Sequence, residues 1–323
     1  MTVTAPDKFS PPYTEWVTLV RKVSFSAAHF LWLNHLTEAE NQQRFGLSSN
    51  PLGHGHNYEI DVAVSGQINP ETGMVINLKQ LKKILSEEVL SDLDFKNLNR
   101  QVPYFKNKLT TLENLAFFIW DKLTDRFEPM HLCLNWLKVL ENDDLYVNYS
   151  GGKDNLMAVV TQMPAAQKNE IYTVVKQNWV YLTRTYNFPA SHRLFNPEWT
   201  DEENEAIFQK CNNINGHGHN YGLEVTVKGD ILPELGMVID IYELDSLVNQ
   251  HLLDWVDHKN LNLDVPFLAG IIPTTENLAR AFWKQLSDHI PAPAQLARIR
   301  LIETPNNFAD YFGPSLAYNQ SPD

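Results

Sequence analysis

The chain has 323 residues, a formal net charge of −13 and 43% hydrophobic residues. This length and hydrophobic content are typical of two folded domains and argue against a disordered chain. The negative charge argues against a partner that is nucleic acid or an anionic membrane, because both require an excess of Lys and Arg. A small anionic substrate remains compatible with it, since a few local basic residues can hold one.

The two cysteines, Cys133 and Cys211, are too few for a disulfide framework and indicate a reducing compartment. The first 16 residues lack the apolar core of a signal peptide, and no segment approaches the roughly 18 apolar residues of a membrane span. We therefore expect a cytoplasmic protein. Cys133 lies in an apolar strand and is interpreted as a core residue.

The first predicted element is a strand that ends at His29, and a loop with a short helix in TEAENQQRF follows it. A second strand is predicted in GHGHNYEIDVAVSG. Its residues Ile60, Val62 and Val64 alternate with the period of two that is typical of a half-buried strand. The sequence thus predicts two neighbouring strands with histidines at the end of one and the start of the other.

A helix is predicted from about Leu78 to Leu90, and a second one in TLENLAFFIWDKL begins after a Thr cap. A final strand is predicted in LNWLKVLE. The order strand, strand, helix, helix, strand favours antiparallel strands in an α+β layer over a dinucleotide-binding α/β unit.

The second half of the chain repeats this order. WVTLVRKVSFSAAH, which ends at His29, aligns with WVYLTRTYNFPASH, which ends at His192, an offset of 192 − 29 = 163 positions. The same offset aligns the two copies of GHGHNY, NPETGMVINL with LPELGMVIDI, LDFKNLNRQVPYF with VDHKNLNLDVPFL, and the two copies of ENLA. An offset that stays constant over about a hundred residues predicts a tandem duplication.

The boundary between the copies is predicted where Gly, Pro and polar residues interrupt the periodic pattern. We expect an N-terminal domain at residues 12–150, a linker at 151–170 and a C-terminal domain at 171–323.

Each copy contains three histidines that are candidate zinc ligands. His217 and His219 are two residues apart on a predicted strand, so both rings project from one face, and His192 ends the neighbouring strand. Three protein ligands and one open position are typical of catalytic zinc, and the sites lack the clustered carboxylates that Mg²⁺ or Ca²⁺ prefers. Histidines of no special role remain the alternative, but the repetition of the trio favours a metal. The N-terminal trio is His29, His54 and His56.

The motifs FPASH, CNNINGHGHNY, DHKNLN, PTTENLA and IRLIETPNN occur in this order and resemble those of the 6-pyruvoyl-tetrahydropterin synthase family, over most of the chain when both copies are included. The resemblance implies two tandem tunnelling-fold (T-fold) domains, whose antiparallel sheets close into a barrel on oligomerisation with the helices outside. It implies a homo-oligomer of three chains, with sites at domain interfaces. The implied reaction eliminates triphosphate from 7,8-dihydroneopterin triphosphate and rearranges the side chain to a pyruvoyl group.

Residue by residue, the resemblance implies a complete site in the C-terminal copy. Its zinc ligands would be His192, His217 and His219. Cys211 would be the general base, and Asp257 with His258 would relay a proton. Glu303 would anchor the pterin, and Glu276 would lie near the pterin ring. A thiolate near a metal suits a base at neutral pH, and one carboxylate can accept two parallel N–H donors of an aminopyrimidine. A buried apolar thiol, an exposed carboxylate and a loop cap remain the alternatives for these residues.

The N-terminal copy departs from this pattern. Ser48 stands at the position of Cys211 and Phe95 at that of His258, so this copy is predicted to be inactive although it can still hold zinc. Glu113 and Glu141 match Glu276 and Glu303, the latter with a slip of one residue. The copy would complete the barrel, bind a pterin without converting it, or run another reaction, and the first interpretation is favoured.

Two other functions remain open. A 6-carboxy-tetrahydropterin synthase uses the same substrate on the pathway to deazapurines such as queuosine and releases acetaldehyde. The five residues between Cys211 and His217 favour the pyruvoyl product. A pterin-binding protein without turnover would leave Cys211, Asp257 and His258 unexplained. A structural zinc protein would leave the anchoring Glu residues unexplained. The sequence does not identify the triphosphate-binding residues: Arg184, Arg193, Lys210 and Lys259 are candidates, and surface charge is the simpler account of each.

Overall fold

The computed structural model describes residues 16–69, 71–151 and 179–314. Within these ranges the chain forms two similar α+β halves, and their strands join into one ten-stranded sheet. The predicted linker lies outside the described residues except at residue 151, so the predicted domain bounds stay a prediction. No helix in the described part of the chain is long and apolar enough to span a membrane.

The elements of the N-terminal half follow the predicted order. Its strands are β1 (Trp16–His29), β2 (His54–Gln67), β3 (Lys96–Asn97), β4 (Cys133–Asn142) and β5 (Leu145–Tyr149). Its main helices are α1 (Glu38–Phe45), α2 (Leu78–Leu85) and α3 (Leu112–Phe127). A π-helical turn continues α2 to Leu90, the predicted end. Thr37 caps α1 in a capping box and Thr111 caps α3.

The C-terminal half repeats these elements. Its strands are β6 (Val180–His192), β7 (His217–Gly229), β8 (Lys259–Asn260), β9 (Gln295–Thr304) and β10 (Asn307–Tyr311). Its main helices are α4 (Asp201–Phe208), α5 (Ile241–Val248) and α6 (Thr275–Ser287). The sequence did not predict the short strands β3, β5, β8 and β10, because two to five residues are too few to show a period.

The sheet is antiparallel except at its shortest strands. Its order is β10-β9-β7-β6-β5-β4-β2-β1-β3, and β8 pairs with β6. The last strand of the N-terminal half pairs with the first strand of the other half, from Leu145 opposite Arg184 to Tyr149 opposite Val180. In the described part of the chain the sheet does not close on itself, so β10 and most of β1 are open edges there.

The core lies between the sheet and the helices, where α3 packs on β4 and α6 on β9. One cluster of buried side chains runs through both halves. The residues with the period of two on β2 and β7 are completely buried: Ile60, Val62, Val64, Leu223, Val225 and Val227. The strand periodicity of the sequence is therefore confirmed.

Phe282→Ala is expected to lower the free energy of unfolding by about 3–5 kcal/mol, because it leaves a cavity in the core. Phe282 is completely buried and contacts the ring of Phe188. Chemical denaturation measures the change. Leu263→Ala, at a side chain that is 82% exposed, should change it by less than about 0.5 kcal/mol. Equal effects of the two substitutions would contradict this account of the core.

Candidate metal centres and active site

The two histidine trios lie at the same end of the sheet in each half. His192 is directly opposite His217 across the β6–β7 pair, and His219 follows two residues later on the same face. The Nε2 atoms of His192 and His217 are 3.1 Å apart. In each trio, one ring nitrogen from every histidine lies within 4.8 Å of the others.

The second nitrogen of the buried histidine in each trio has a fixed partner. Nδ1 of His192 is 2.9 Å from the carbonyl oxygen of Pro273, and Nδ1 of His29 is 2.9 Å from that of Thr110. These carbonyl oxygens accept a hydrogen bond from a protonated Nδ1, which leaves Nε2 free as a metal ligand. The Tyr221 hydroxyl lies 3.3 Å from the same Nδ1 of His192.

The ring nitrogens of the trios are suitable metal ligands, both because of their position and because of their protonation state. Five buried ring nitrogens of the trios have no hydrogen-bond partner among the described residues: Nε2 of His29, Nδ1 of His54, Nε2 of His56, Nδ1 of His217 and Nε2 of His219. Burial lowers the pKa of His29 to about 3 and also lowers the pKa of His192 and His217. Neutral imidazole is the form that binds a metal, so burial favours the metal-binding form of His29, His192 and His217 at pH 7.

A carboxylate stands beside each trio. Glu303 Oε1 lies 3.5 Å from His192 Nε2 and 3.7 Å from His219 Nε2, and Asn307 donates a hydrogen bond to its other oxygen. Glu141 occupies the same place, 3.6 Å from His56 Nε2. Glu141 and Glu303 therefore occupy equivalent positions in the structure, although the sequence alignment places them one residue out of register.

Cys211 lies in the 3₁₀ turn Gln209–Asn212 that follows α4 and is half-buried. Its carbonyl accepts a hydrogen bond from Leu194 N, two residues after His192. Burial raises the pKa of the Tyr221 hydroxyl, and the nearby Glu303 and Cys211 add to this increase. Cys211 therefore lies in the surroundings of the trio and not in the apolar core. Cys133 is buried, and burial raises the pKa of its thiol.

Asp257 and His258 form the predicted pair, with Asp257 Oδ1 2.8 Å from His258 Nδ1. His258 lines a shallow depression together with His219, and its ring is 78% exposed. Its φ of 56° is rare for a residue with a side chain. Phe95, at the matching position, has a φ of 54° and is 85% exposed. The backbone geometry is thus kept in the N-terminal half without a side chain that can carry a proton.

The N-terminal site is closed by the C-terminal half of the same chain. Glu113, only 2% exposed, accepts a hydrogen bond from Val238 N at 3.1 Å, and the Thr111 hydroxyl donates to the Gly236 carbonyl at 2.6 Å. No local sequence pattern indicated these contacts, because they join residues 125 positions apart. They enclose a cavity of about 180 Å³ that is lined by His29, Ser48, Glu113, Glu141, Arg184, Asp240, Tyr242 and Asp245, among others.

The C-terminal site lacks such a wall in the described part of a single chain. Glu276 is exposed where Glu113 is buried. Phe208 is half-buried, whereas its counterpart Phe45 is 1% exposed. Glu276, the predicted pterin-side residue of the C-terminal copy, therefore faces solvent in the single chain.

Glu113→Gln is expected to change how stability depends on pH. Burial raises the pKa of Glu113 from 4.5 to about 7. The folded state therefore binds a proton more tightly than the unfolded state, and roughly 3 kcal/mol of stability is lost as pH rises from 4.5 to 7. The Gln variant should be more stable than wild type by about this amount at pH 8 and nearly equal at pH 4.5. Urea unfolding at both pH values measures it, and a pH-independent difference would contradict this pKa.

The fold and the sites together define a tandem α+β protein with a candidate three-histidine metal site in each half. The sequence profile described as "6-pyruvoyl tetrahydropterin synthase" matches residues 18–152 and 181–314. The chain therefore belongs to the 6-pyruvoyl tetrahydropterin synthase family and contains two of its domains in tandem, which confirms the resemblance and the T-fold predicted from the motifs.

The chain is similar to named enzymes of this family. The 6-pyruvoyl tetrahydrobiopterin synthase of Homo sapiens is 47% identical over 132 residues, 41% of this chain and 90% of the relative. The 6-carboxy-5,6,7,8-tetrahydropterin synthase of Aquifex aeolicus is 28% identical over 159 residues, 40% of this chain and 96% of the relative. The solved structure of the Caenorhabditis elegans 6-pyruvoyl tetrahydropterin synthase is 38% identical with a TM-score of 0.40, and covers 43% of this chain and 98% of its own.

Proposed function

We propose that the C-terminal half converts 7,8-dihydroneopterin triphosphate to 6-pyruvoyl-tetrahydropterin with loss of triphosphate, as a zinc-dependent carbon–oxygen lyase. The observation that carries the proposal is the difference between the halves. Both have a histidine trio with a carboxylate beside it, but only the C-terminal half adds Cys211 and the Asp257–His258 pair. Proton transfer is the chemistry that these additional residues supply.

The trio His192, His217 and His219 would hold zinc, which supplies a Lewis acid for a substrate hydroxyl. Cys211 would remove a proton from the carbon that bears this hydroxyl. His258, held by Asp257 through the 2.8 Å hydrogen bond, would carry a proton to or from the side chain. Glu303 would accept two N–H donors of the pterin ring, with Glu276 beside it.

The second candidate is the 6-carboxy-tetrahydropterin product. The similarity to the Aquifex aeolicus relative, which is named 6-carboxy-5,6,7,8-tetrahydropterin synthase, is the reason to test for this product. Against it stand the five residues between Cys211 and His217 and the higher identity to relatives named 6-pyruvoyl tetrahydrobiopterin synthase.

The mass of the product tests the proposal. Purified, zinc-loaded protein is incubated with 7,8-dihydroneopterin triphosphate. A pyruvoyl-tetrahydropterin mass supports the proposal. A carboxy-tetrahydropterin mass with acetaldehyde assigns the protein to the deazapurine pathway, and pterin binding without turnover makes it a binding protein; either result would overturn the proposal.

A further inference from the structure

The wall that closes the N-terminal site comes from two elements of the C-terminal half. Arg184 on β6 and the first turns of α5, with Asp240, Tyr242 and Asp245, line the cavity. The Tyr242 hydroxyl donates to the Phe45 carbonyl at 2.7 Å, and Asp240 lies 3.6 Å from Arg44. Because the chain is a repeat, the N-terminal half presents the same two elements, β1 and α2, at its own open edge.

The two open edges of the sheet, β10 and β1, correspond to β5 and β6, which pair with each other inside the chain. Glu141 and Glu303 differ by 162 positions, and the same offset carries β5 onto β10 with identical bounds. Repeating the β5–β6 register between two chains places Asn307 opposite Arg21, Phe308 opposite Val20 and Tyr311 opposite Val17. Phe308 and Val20 are 51% and 47% exposed in the single chain. Unpaired apolar edges of this kind favour strand pairing with another copy.

The helix contacts across the new interface are also complementary. The Arg44–Asp240 pair of the intrachain interface corresponds to Ile207 and Asn77, next to Leu78. Ile207 is 62% exposed and Leu78 is 50% exposed. The positions of the intrachain ion pair are thus occupied by Ile207 and the uncharged Asn77, which adjoins the exposed Leu78. This difference lets the two interfaces form side by side without exchanging partners.

The two walls differ in charge. In the N-terminal site the guanidinium of Arg184 is held by Asp245, with Nε 3.0 Å from Oδ1, and Asp240 adds a second carboxylate. The matching positions of the N-terminal half, at the offset of 163, are Arg21, Asn77, Lys79 and Lys82. These carry three cations and no carboxylate, in a chain with a net charge of −13.

Among the described residues, the cations of the basic wall have few partners. Arg21 Nε is buried and has no hydrogen-bond partner there. Lys79 and Lys82 are exposed and form no ion pair with the described residues. Lys83, one residue further on α2, instead pairs with Glu87 at 3.7 Å.

We infer that the C-terminal active site is completed by the N-terminal half of a second copy, whose Arg21, Lys79 and Lys82 bind the triphosphate of the substrate. The inference rests on the proposed function for the identity of the substrate. Guanidinium and ammonium groups are the usual protein donors to phosphate oxygens. The N-terminal half is kept, although it lacks the base and the relay, because it forms this wall. The corresponding wall of the N-terminal site offers a triphosphate no such cations, because Arg184 and Arg44 are already paired with Asp245 and Asp240.

Binding of inorganic tripolyphosphate tests the basic wall without turnover. The full chain is titrated calorimetrically as wild type, as Lys79→Tyr/Lys82→Asp, which copies the acidic wall, and as Lys83→Ala. The double variant should bind roughly a hundredfold more weakly, about tenfold for each lost cation, and Lys83→Ala like wild type. Lys82→Gln alone should lose about tenfold and covers the case in which the double variant fails to fold. Unchanged binding in a folded variant overturns the inference.

Mixed assemblies test the contribution in trans. Cys211→Ala lacks the base but keeps the basic wall, and Lys79→Tyr/Lys82→Asp has the reverse defect. Each should be nearly inactive alone, and an equal mixture that has exchanged subunits should recover about a quarter of wild-type activity, because one interface in four then joins two intact parts. No recovery in mixed oligomers, verified by mass, overturns the inference. If wild type makes no product but tripolyphosphate binding depends on Lys82, the proposed reaction is wrong and the shared anion site stands.

Discussion

Cys211→Ala is expected to lower kcat for the pterin triphosphate by roughly 10²–10⁴-fold, which is the usual contribution of a positioned general base. Cys211 is half-buried and close enough to Tyr221 to raise the pKa of its hydroxyl, and Tyr221 lies 3.3 Å from Nδ1 of His192 in the trio. Its thiol is the side chain there that the other half replaces by Ser48. Turnover followed by product mass measures the effect.

The repeat provides the control for this prediction. Ser48→Ala removes the matching side chain of the N-terminal half and should leave kcat within about twofold, because that half also lacks the relay histidine. Zinc content and oligomer size should be unchanged in both variants. Full activity of folded Cys211→Ala would show that another group removes the proton. A loss in Ser48→Ala that equals the loss in Cys211→Ala would show that both halves catalyse.

Local pattern was enough to predict most of the fold. The alternation of Ile60, Val62 and Val64 predicted β2, and Thr111 marked the start of α3, because periodicity and capping act within a few residues. The β5–β6 pair escaped prediction for the same reason. β5 is only five residues long, and its pairing with β6 spans an interval that carries no periodic signal.

The site, too, could be predicted only where its residues follow a local sequence pattern. The spacing of His217 and His219 predicted that their rings share a face, and the position of His192 at the end of the neighbouring strand made it the third member of the trio. The burial of Glu113 and the closure of the N-terminal cavity depend on contacts between residues 125 positions apart, which no local pattern encodes. The opposite charges of Asp245 and Lys82 are visible in the sequence, but they acquire meaning only when the cavity shows which positions form a wall.

Substitutions in the two histidine trios should give the largest difference in turnover between two matched variants. Wild type should bind two zinc ions per chain, one in each trio. His217→Ala and His54→Ala remove equivalent ligands, since each residue begins the second strand of its half. Each variant should therefore lose one zinc ion, as measured by metal analysis of the purified protein.

Activity should separate the two variants even though their zinc contents agree. His217→Ala is expected to lower turnover by about a thousandfold or more, because the substrate hydroxyl is then no longer polarised beside Cys211. His54→Ala should keep turnover within a few-fold, since its half supplies a wall and not the reacting groups. Its tripolyphosphate affinity should stay that of wild type, because Arg21, Lys79 and Lys82 lie on β1 and α2. Loss of turnover in His54→Ala with intact assembly would instead make the N-terminal metal site part of the reaction and contradict the division of roles between the halves.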